Sequence, residues 1–169
     1  MPGRNAQLIA ELTSPDAAVR ADAAEKLARL ETAAHDAAVP LCRASDEKID
    51  AVSDWAVTAL EELGPPLDSD IDALARMAAL PNVNSSYWAA MLLGRLGSQA
   101  APAVPTLAAV LKAHPVLVVR QRTAWALGEI GPAAIAALAE LKLAASSEDP
   151  RLARLARRAV EQVTGHPNP

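Results

Sequence analysis

Three histidines, one cysteine and a triplet of aspartates are the residues in this chain with the chemistry for catalysis or metal binding. His35, His114 and His166 fall in turns or the tail of different segments. No HExxH, CxxC or closely paired His spacing joins them, so each reads as a solvated or capping residue. Cys42 follows Leu41 in an apolar stretch and is expected to be semi-buried. A thiolate nucleophile needs a base beside it, and none can be placed. Asp68, Asp70 and Asp72 have the spacing that opens a calcium loop, but Ala73 and Ala79 stand where its Gly and Glu belong. They read as solvated caps. The glycines stand singly and form no phosphate loop. The residues therefore favour a non-catalytic role, with no metal and no cofactor.

The chemistry that remains is recognition. Trp55, Trp88 and Trp125 are the three tryptophans, Tyr87 is the one tyrosine, and there is no Phe. Their meaning depends on a repeat. Leu27-Ala28-Arg29-Leu30, Leu60-Glu61-Glu62-Leu63, Leu93-Gly94-Arg95-Leu96, Leu127-Gly128-Glu129-Ile130 and Val160-Glu161-Gln162-Val163 begin at steps of 33, 33, 34 and 33 residues. A fixed period of this size means stacked supersecondary units. With the first residue of each signature as position zero, positions −8, −4, −1, 0 and +3 hold mostly Ala, Leu and Val. At about 100° per residue these positions form one stripe of an amphipathic helix. Gly64, Gly97 and Gly131 follow at +4, where a helix end favours a left-handed residue. Ser14-Pro15-Asp16, Ser45-Asp46, Pro81-Asn82, Pro115 and Asp149-Pro150 supply start signals. An earlier helix precedes each one, marked by Leu8, Leu41, Leu74, Leu107 and Leu141. Pro40 and Pro105 should bend these first helices or delay their regular part.

Positions −5 and −2 point about 85° and 145° away from the stripe on the helical wheel. Position −5 holds Asp22, Trp55, Trp88, Arg122 and Leu155, and position −2 holds Glu25, Thr58, Met91, Trp125 and Arg158. All three tryptophans fall in these two rows. Three exposed rings would make a patch large enough to mark an interface. Packing of Trp55 and Trp88 between neighbours is the alternative for those two. Tyr87, Arg95 and Glu62 are expected to rim the same surface, with Arg122 in the −5 row, and Tyr, Trp and Arg are frequent interface anchors.

The whole chain agrees with an all-α reading. Half of the 169 residues are apolar, with 2% aromatic residues, which suits closely packed helices better than sheets. The longest apolar runs fall short of the roughly 18–20 residues that span a bilayer. Met1-Pro2-Gly3-Arg4-Asn5 lead into no apolar signal core. With Cys42 alone, no internal disulfide can form, which fits a reducing cytoplasm. The net charge of −4 hides a split. Residues 1–72 carry fifteen acids and six bases, and residues 73–169 carry five acids and ten bases. Such a split permits head-to-tail association, but exposed charge pairs are weak and screened, so a monomer is expected.

Val119-Arg120-Gln121-Arg122-Thr123-Ala124-Trp125-Ala126-Leu127-Gly128-Glu129-Ile130-Gly131-Pro132 resembles the second helix of a HEAT repeat. More narrowly, it resembles the short HEAT-like repeats of phycobilisome lyases. Val19-Arg20 with Ala23-Ala24, and Ala89-Ala90 with Leu93-Gly94, are similar, as are Val39-Pro40 and Val104-Pro105 in first helices. The third unit departs with Ser85-Ser86 for Val-Arg, and the last with Arg157 and Glu161. The resemblance covers about Gln7 to Val163. It implies a right-handed α-solenoid, an α/α superhelix of about five HEAT-like helix pairs, with second helices lining its concave side. The expected organisation is one repeat domain over 1–164, with units at about 5–31, 34–64, 68–97, 98–131 and 132–164 and a tail at 165–169.

The function expected is a non-catalytic scaffold that binds another protein on the concave face through Trp55, Trp88, Met91, Trp125, Tyr87, Arg95 and Arg122. Two other classes stay open. The resemblance implies a bilin lyase or chaperone-like subunit as the alternative. Nucleic-acid binding, as in HEAT-like DNA glycosylases, is permitted by the basic segment 73–128 but opposed by the overall negative charge. No membrane partner is expected.

Overall fold

The computed structural model describes residues 5–165, and among them there are ten α-helices, four 3₁₀ segments and no strand. The chain divides into two compact units, Met1–Asp70 and Ile71–Pro169. His166 lies outside the described residues.

The first unit holds α1 (Ala6–Glu11), α2 (Ala17–Ala28), α3 (Ala38–Ala44) and α4 (Asp50–Glu62). α1 packs on α2, α3 on α4, and the second helices α2 and α4 lie side by side. Asp16 caps α2 by accepting the Ala18 N–H at 2.8 Å. The expected start at Ser45-Asp46 is corrected: Ser45 is the C-cap of α3, its hydroxyl donating to the Cys42 carbonyl at 2.8 Å, and Ile49 precedes α4. Cys42 is fully buried rather than semi-buried, and burial pushes its thiol far above the usual range. Such a thiol stays protonated and inert.

The second unit holds α5 (Ile71–Ala78), α6 (Val83–Arg95), α7 (Val104–Ala113), α8 (Leu117–Ile130), α9 (Leu138–Ala145) and α10 (Pro150–Thr164). α5 pairs with α6, α7 with α8 and α9 with α10, while α6, α8 and α10 form a row of adjacent second helices. Each unit is thus a stack of helix pairs, the arrangement of an α-solenoid. The span 117–145 has the length and mean hydropathy of a membrane helix. Gly131, at φ 69°, breaks it into α8 and α9, and half of it is buried.

The stripe inferred from the repeat is the core. Positions −4 and 0 are buried in every repeat: Ala23, Ala56, Ala89, Thr123 and Ala156, then Leu27, Leu60, Leu93, Leu127 and Val160. A fully buried Leu contributes about 1.5–3 kcal/mol relative to exposure. In the first repeat Val19, Lys26 and Leu30 of the same stripe are exposed.

Helix ends follow local chemistry. Gly64, Gly97 and Gly131 all take positive φ. The same +4 position in the first repeat is Glu31, which is forced to φ 49° without glycine's freedom. α7 begins with Pro105 in its first turn, and α3 has Pro40 as its third residue; 3₁₀ segments precede both. Prolines therefore start the regular helices late rather than bend them. Position −7 has a shared job. Arg20 donates to the Ser14 carbonyl at 2.8 Å, and Arg120 donates through Nε to Leu111 at 3.0 Å. Ser86 takes over this task in the third repeat, its hydroxyl reaching the Leu80 carbonyl at 2.6 Å. Each side chain satisfies carbonyls at or just beyond the end of the first helix of its own pair.

His114 is buried and capping, not solvated. Its Nε2 donates to the Leu80 carbonyl at 2.7 Å, and its Nδ1 accepts the Val116 N–H at 3.1 Å. Pro115 stands just outside α8, before the Val116 N-cap, rather than in its first turn, and His114 satisfies the Val116 N–H.

Candidate functional site

The outward rows of the second unit converge on Arg122 of α8. Its guanidinium lies over the Tyr87 ring at 4.6 Å and over the Trp125 ring at 5.1 Å. Nη2 donates to the Tyr87 hydroxyl, and Nη1 approaches the Met91 sulfur at 3.3 Å. Nε is buried without a hydrogen-bond partner. The spacing explains the grouping. Tyr87 and Met91 stand one turn apart on α6, and Arg122 and Trp125 stand three residues apart on α8, so each pair shares a face.

Trp125 reaches α6 because Gly94 has no side chain. A Cβ at Gly94 would lie 2.5 Å from Cζ3 of Trp125 and 3.0 Å from the Ala126 Cα. Gly128 has the same role in the next repeat, where a Cβ would meet the Gln162 side chain and lie 3.1 Å from the Ala159 Cα. The glycines of the Leu-Gly pairs therefore let second helices approach closely, while those at +4 end helices.

Tyr87, Val118, Gln121, Arg122, Trp125, Arg151 and Leu155 line a shallow groove of about 50 Å³ across α6, α8 and α10. Gln121 donates to the Asp149 carboxylate at 2.9 Å, and Asp149 caps α10 by accepting the Leu152 N–H at 2.7 Å. The Leu152 N–H, then Gln121, hold the Asp149 carboxyl below the usual carboxylate range. One wall of the groove is thereby fixed to the start of α10.

The expected residues separate as follows. Tyr87, Met91, Arg122 and Trp125 come together, each half-buried, and Arg95 is half-buried in the last turn of α6. The expectation for Trp88 is corrected. It is 8% exposed, its ring meeting Tyr87 edge-on at 5.5 Å, so it belongs to the core and offers no docking surface. Position −5 lies on the flank of the buried stripe, and in α6 the indole there is covered by its surroundings. Trp55, at the same position in α4 of the first unit, is 36% exposed. Leu155 belongs to the −5 row, whereas Gln121, Val118 and Arg151 stand outside both outward rows. Val118 and Arg151 both stand at −9, seven residues before −2, and that heptad offset carried the signal.

The geometry offers recognition surfaces: an oriented guanidinium, half-buried aromatic rings and a second arginine. Among the described residues, no three His, Cys, Asp or Glu side chains come together as a metal site.

A family model described as PBS lyase HEAT-like repeat matches residues 119–143, the α8–α9 segment that carries Arg122 and Trp125. No curated protein matches the chain. Among solved structures, the complex of CpcE and CpcF of phycocyanin lyase from Nostoc sp. PCC7120 is similar with a TM-score of 0.63 at 25% identity, covering 96% of this chain and 65% of that one. This chain thus spans less than two thirds of that lyase chain. A designed armadillo repeat protein in complex with the peptide (KR)4 gives a TM-score of 0.67 at 17% identity, covering 96% and 82%. An engineered protein gives 0.63 at 22% identity, covering 93% and 78%. These last two show the fold alone: an all-α armadillo/HEAT-type solenoid. The chain is built of HEAT-like repeats that resemble those of phycobilisome lyases.

Proposed function

We propose that this HEAT-type repeat protein is a non-catalytic scaffold that holds a polypeptide partner against its second helices. In the second unit the contact is made by Tyr87, Met91, Arg122 and Trp125, with Arg95 at the rim. In the first unit Trp55 is the aromatic residue available for contact. The observation that carries this reading is the Arg122 guanidinium held between Tyr87 and Trp125 beside an open groove. Side chains fixed in place before binding lose little entropy on contact, and Trp, Tyr and Arg dominate measured interface energies. The test is co-purification from native lysate with the intact chain, compared with Trp125→Ala and Trp55→Ala variants. A partner retained by the intact chain and lost with Trp125→Ala is expected. Equal retention by all three proteins removes the site.

The similarity to the phycocyanin lyase complex favours a second reading, a lyase or chaperone-like subunit that handles a bilin. Absorbance on mixing with a bilin separates the two readings. A red-shifted, intensified band that depends on Trp125 would favour bilin handling; an unchanged spectrum leaves the scaffold.

A further inference from the structure

Building on the binding role above, we propose that the groove across α6, α8 and α10 takes an extended acidic peptide. Its carboxylates meet Arg122 and Arg151, and an apolar side chain lies against Trp125 and Leu155. The partner's charge follows from the composition of the face. α6, α8 and α10 carry seven arginines against two glutamates, with no Asp or Lys. Arg120 faces away, bonded to the Leu111 carbonyl, and Glu129 is the acid that shares the outward face of α8. Arg122 and Arg151 line the same groove of about 50 Å³. Among the described residues neither has a carboxylate within ion-pairing distance. The nearest acid in sequence, Asp149, is engaged in capping α10 and accepting from Gln121. Two cations in one groove repel each other, and an incoming carboxylate relieves that repulsion. Guanidinium groups also match carboxylates in bidentate geometry, and stacking on Tyr87 and Trp125 leaves Arg122 already oriented.

The spacing suits an extended chain. Packed helix axes lie about 8–10 Å apart, and an extended peptide advances about 3.3 Å per residue. Successive second helices therefore meet about every third residue, which places acids three apart with an apolar residue between them. A nucleic acid fits less well. Phosphate recognition needs a broad basic surface, whereas here Glu129 interrupts the face and the whole chain carries a net charge of −4.

The test is fluorescence anisotropy of the full chain with three labelled nine-residue peptides: Asp-Ser-Leu, Asn-Ser-Leu and Lys-Ser-Leu, each repeated three times. A nine-nucleotide oligothymidine is the fourth probe. The acidic peptide is expected to bind at least about ten-fold more tightly than the neutral one at low salt, and more weakly as salt rises. Arg151→Gln, at an exposed position, should weaken it about ten-fold with an unchanged circular dichroism spectrum, and Arg122→Gln should do the same or more. Equal binding of the acidic and neutral peptides, lost in Trp125→Ala, overturns the acidic preference while leaving the scaffold reading in place. Tighter binding of the oligonucleotide, or of the basic peptide, overturns the proposal. Failure of every probe also overturns it; if co-purification then shows no Trp125-dependent partner, the scaffold reading falls too.

Discussion

Replacing Gly94 by alanine sets two effects of known size against each other. Gly94 lies inside α6, and on helix propensity alone Gly→Ala there should stabilise by about 1 kcal/mol. The new Cβ, however, would stand 2.5 Å from Cζ3 and 3.1 Å from Cε3 of Trp125, and 3.0 Å from the Ala126 Cα. Overpacking of this kind costs about 1–3 kcal/mol. The half-buried indole can swing outward, but the backbone Cα of Ala126 cannot rotate away, so α6 and α8 must separate slightly. We therefore expect a net loss of about 1–2 kcal/mol, taking the clash near the upper end of its range. A urea titration followed by circular dichroism reads this as a fall in midpoint of about 0.5–1 M, for a slope of about 2 kcal/mol per M. In a Trp125→Leu background the loss should shrink, because one of the two obstacles has gone. Gly128→Ala should cost less than Gly94→Ala, because its closest neighbour is the flexible end of the Gln162 side chain. A midpoint that rises for Gly94→Ala, with or without Trp125, would show that propensity alone governs the site and that the close approach is not real.

Three further outcomes are expected. Glu31→Gly should stabilise the first unit by up to about 1 kcal/mol, since Glu31 holds φ 49° where three other repeats place glycine; the urea midpoint should rise, and a fall would contradict the strain. His114→Ala should destabilise by about 1–2 kcal/mol, because it leaves the Val116 N–H unpaired and removes one of the two donors to the Leu80 carbonyl, the other being Ser86; unchanged thermal stability would refute the capping role. The Asp149 carboxyl is held below its ordinary value in the folded chain. Its contribution is therefore fully present above the unfolded carboxylate value of about 3.9 and is lost as pH falls through the lower folded value. Asp149→Asn keeps a good N-cap but should flatten stability across that acid window, which thermal melts at stepped pH would show.

Much of the fold was legible because its signals are periodic and local. Leu27, Leu60, Leu93 and Leu127 recur every 33 or 34 residues, and a residue repeated at one helical position must face the same surroundings each time. The glycines at +4 were legible too, since positive φ is a property of the backbone at that residue. Other features depend on residues far apart in the chain. His114 looked like a turn residue because its partner, Leu80, lies 34 residues earlier. Ser86 looked like a departure from the Val-Arg pattern, yet it carries out the arginine's capping task with a shorter side chain. Ser45-Asp46 looked like a start signal, because a serine's hydroxyl serves either end of a helix and only the carbonyl it meets decides which.

The candidate site was legible as a pair of rows but not as a set of contacts, and Trp88 and Trp125 show why. Both are tryptophans on second helices of the same unit, and both lie off the buried stripe, by angles that differ by about 60°. Within this unit that difference separates them: at −5 of α6 the indole is absorbed into the core, while at −2 of α8 it lies across the neighbouring helix with its face toward Arg122. It can lie there only because the residue beneath it, at +1 of the preceding repeat, is Gly94. Elsewhere the −2 position holds Glu25, Thr58, Met91 or Arg158, and none carries a ring over the neighbouring helix. The packing residue and the recognition residue are therefore one device spread over two repeats. Taken separately, the two repeats show a glycine in a helix and a tryptophan on a surface, and the physical link between them exists only once α6 and α8 are side by side.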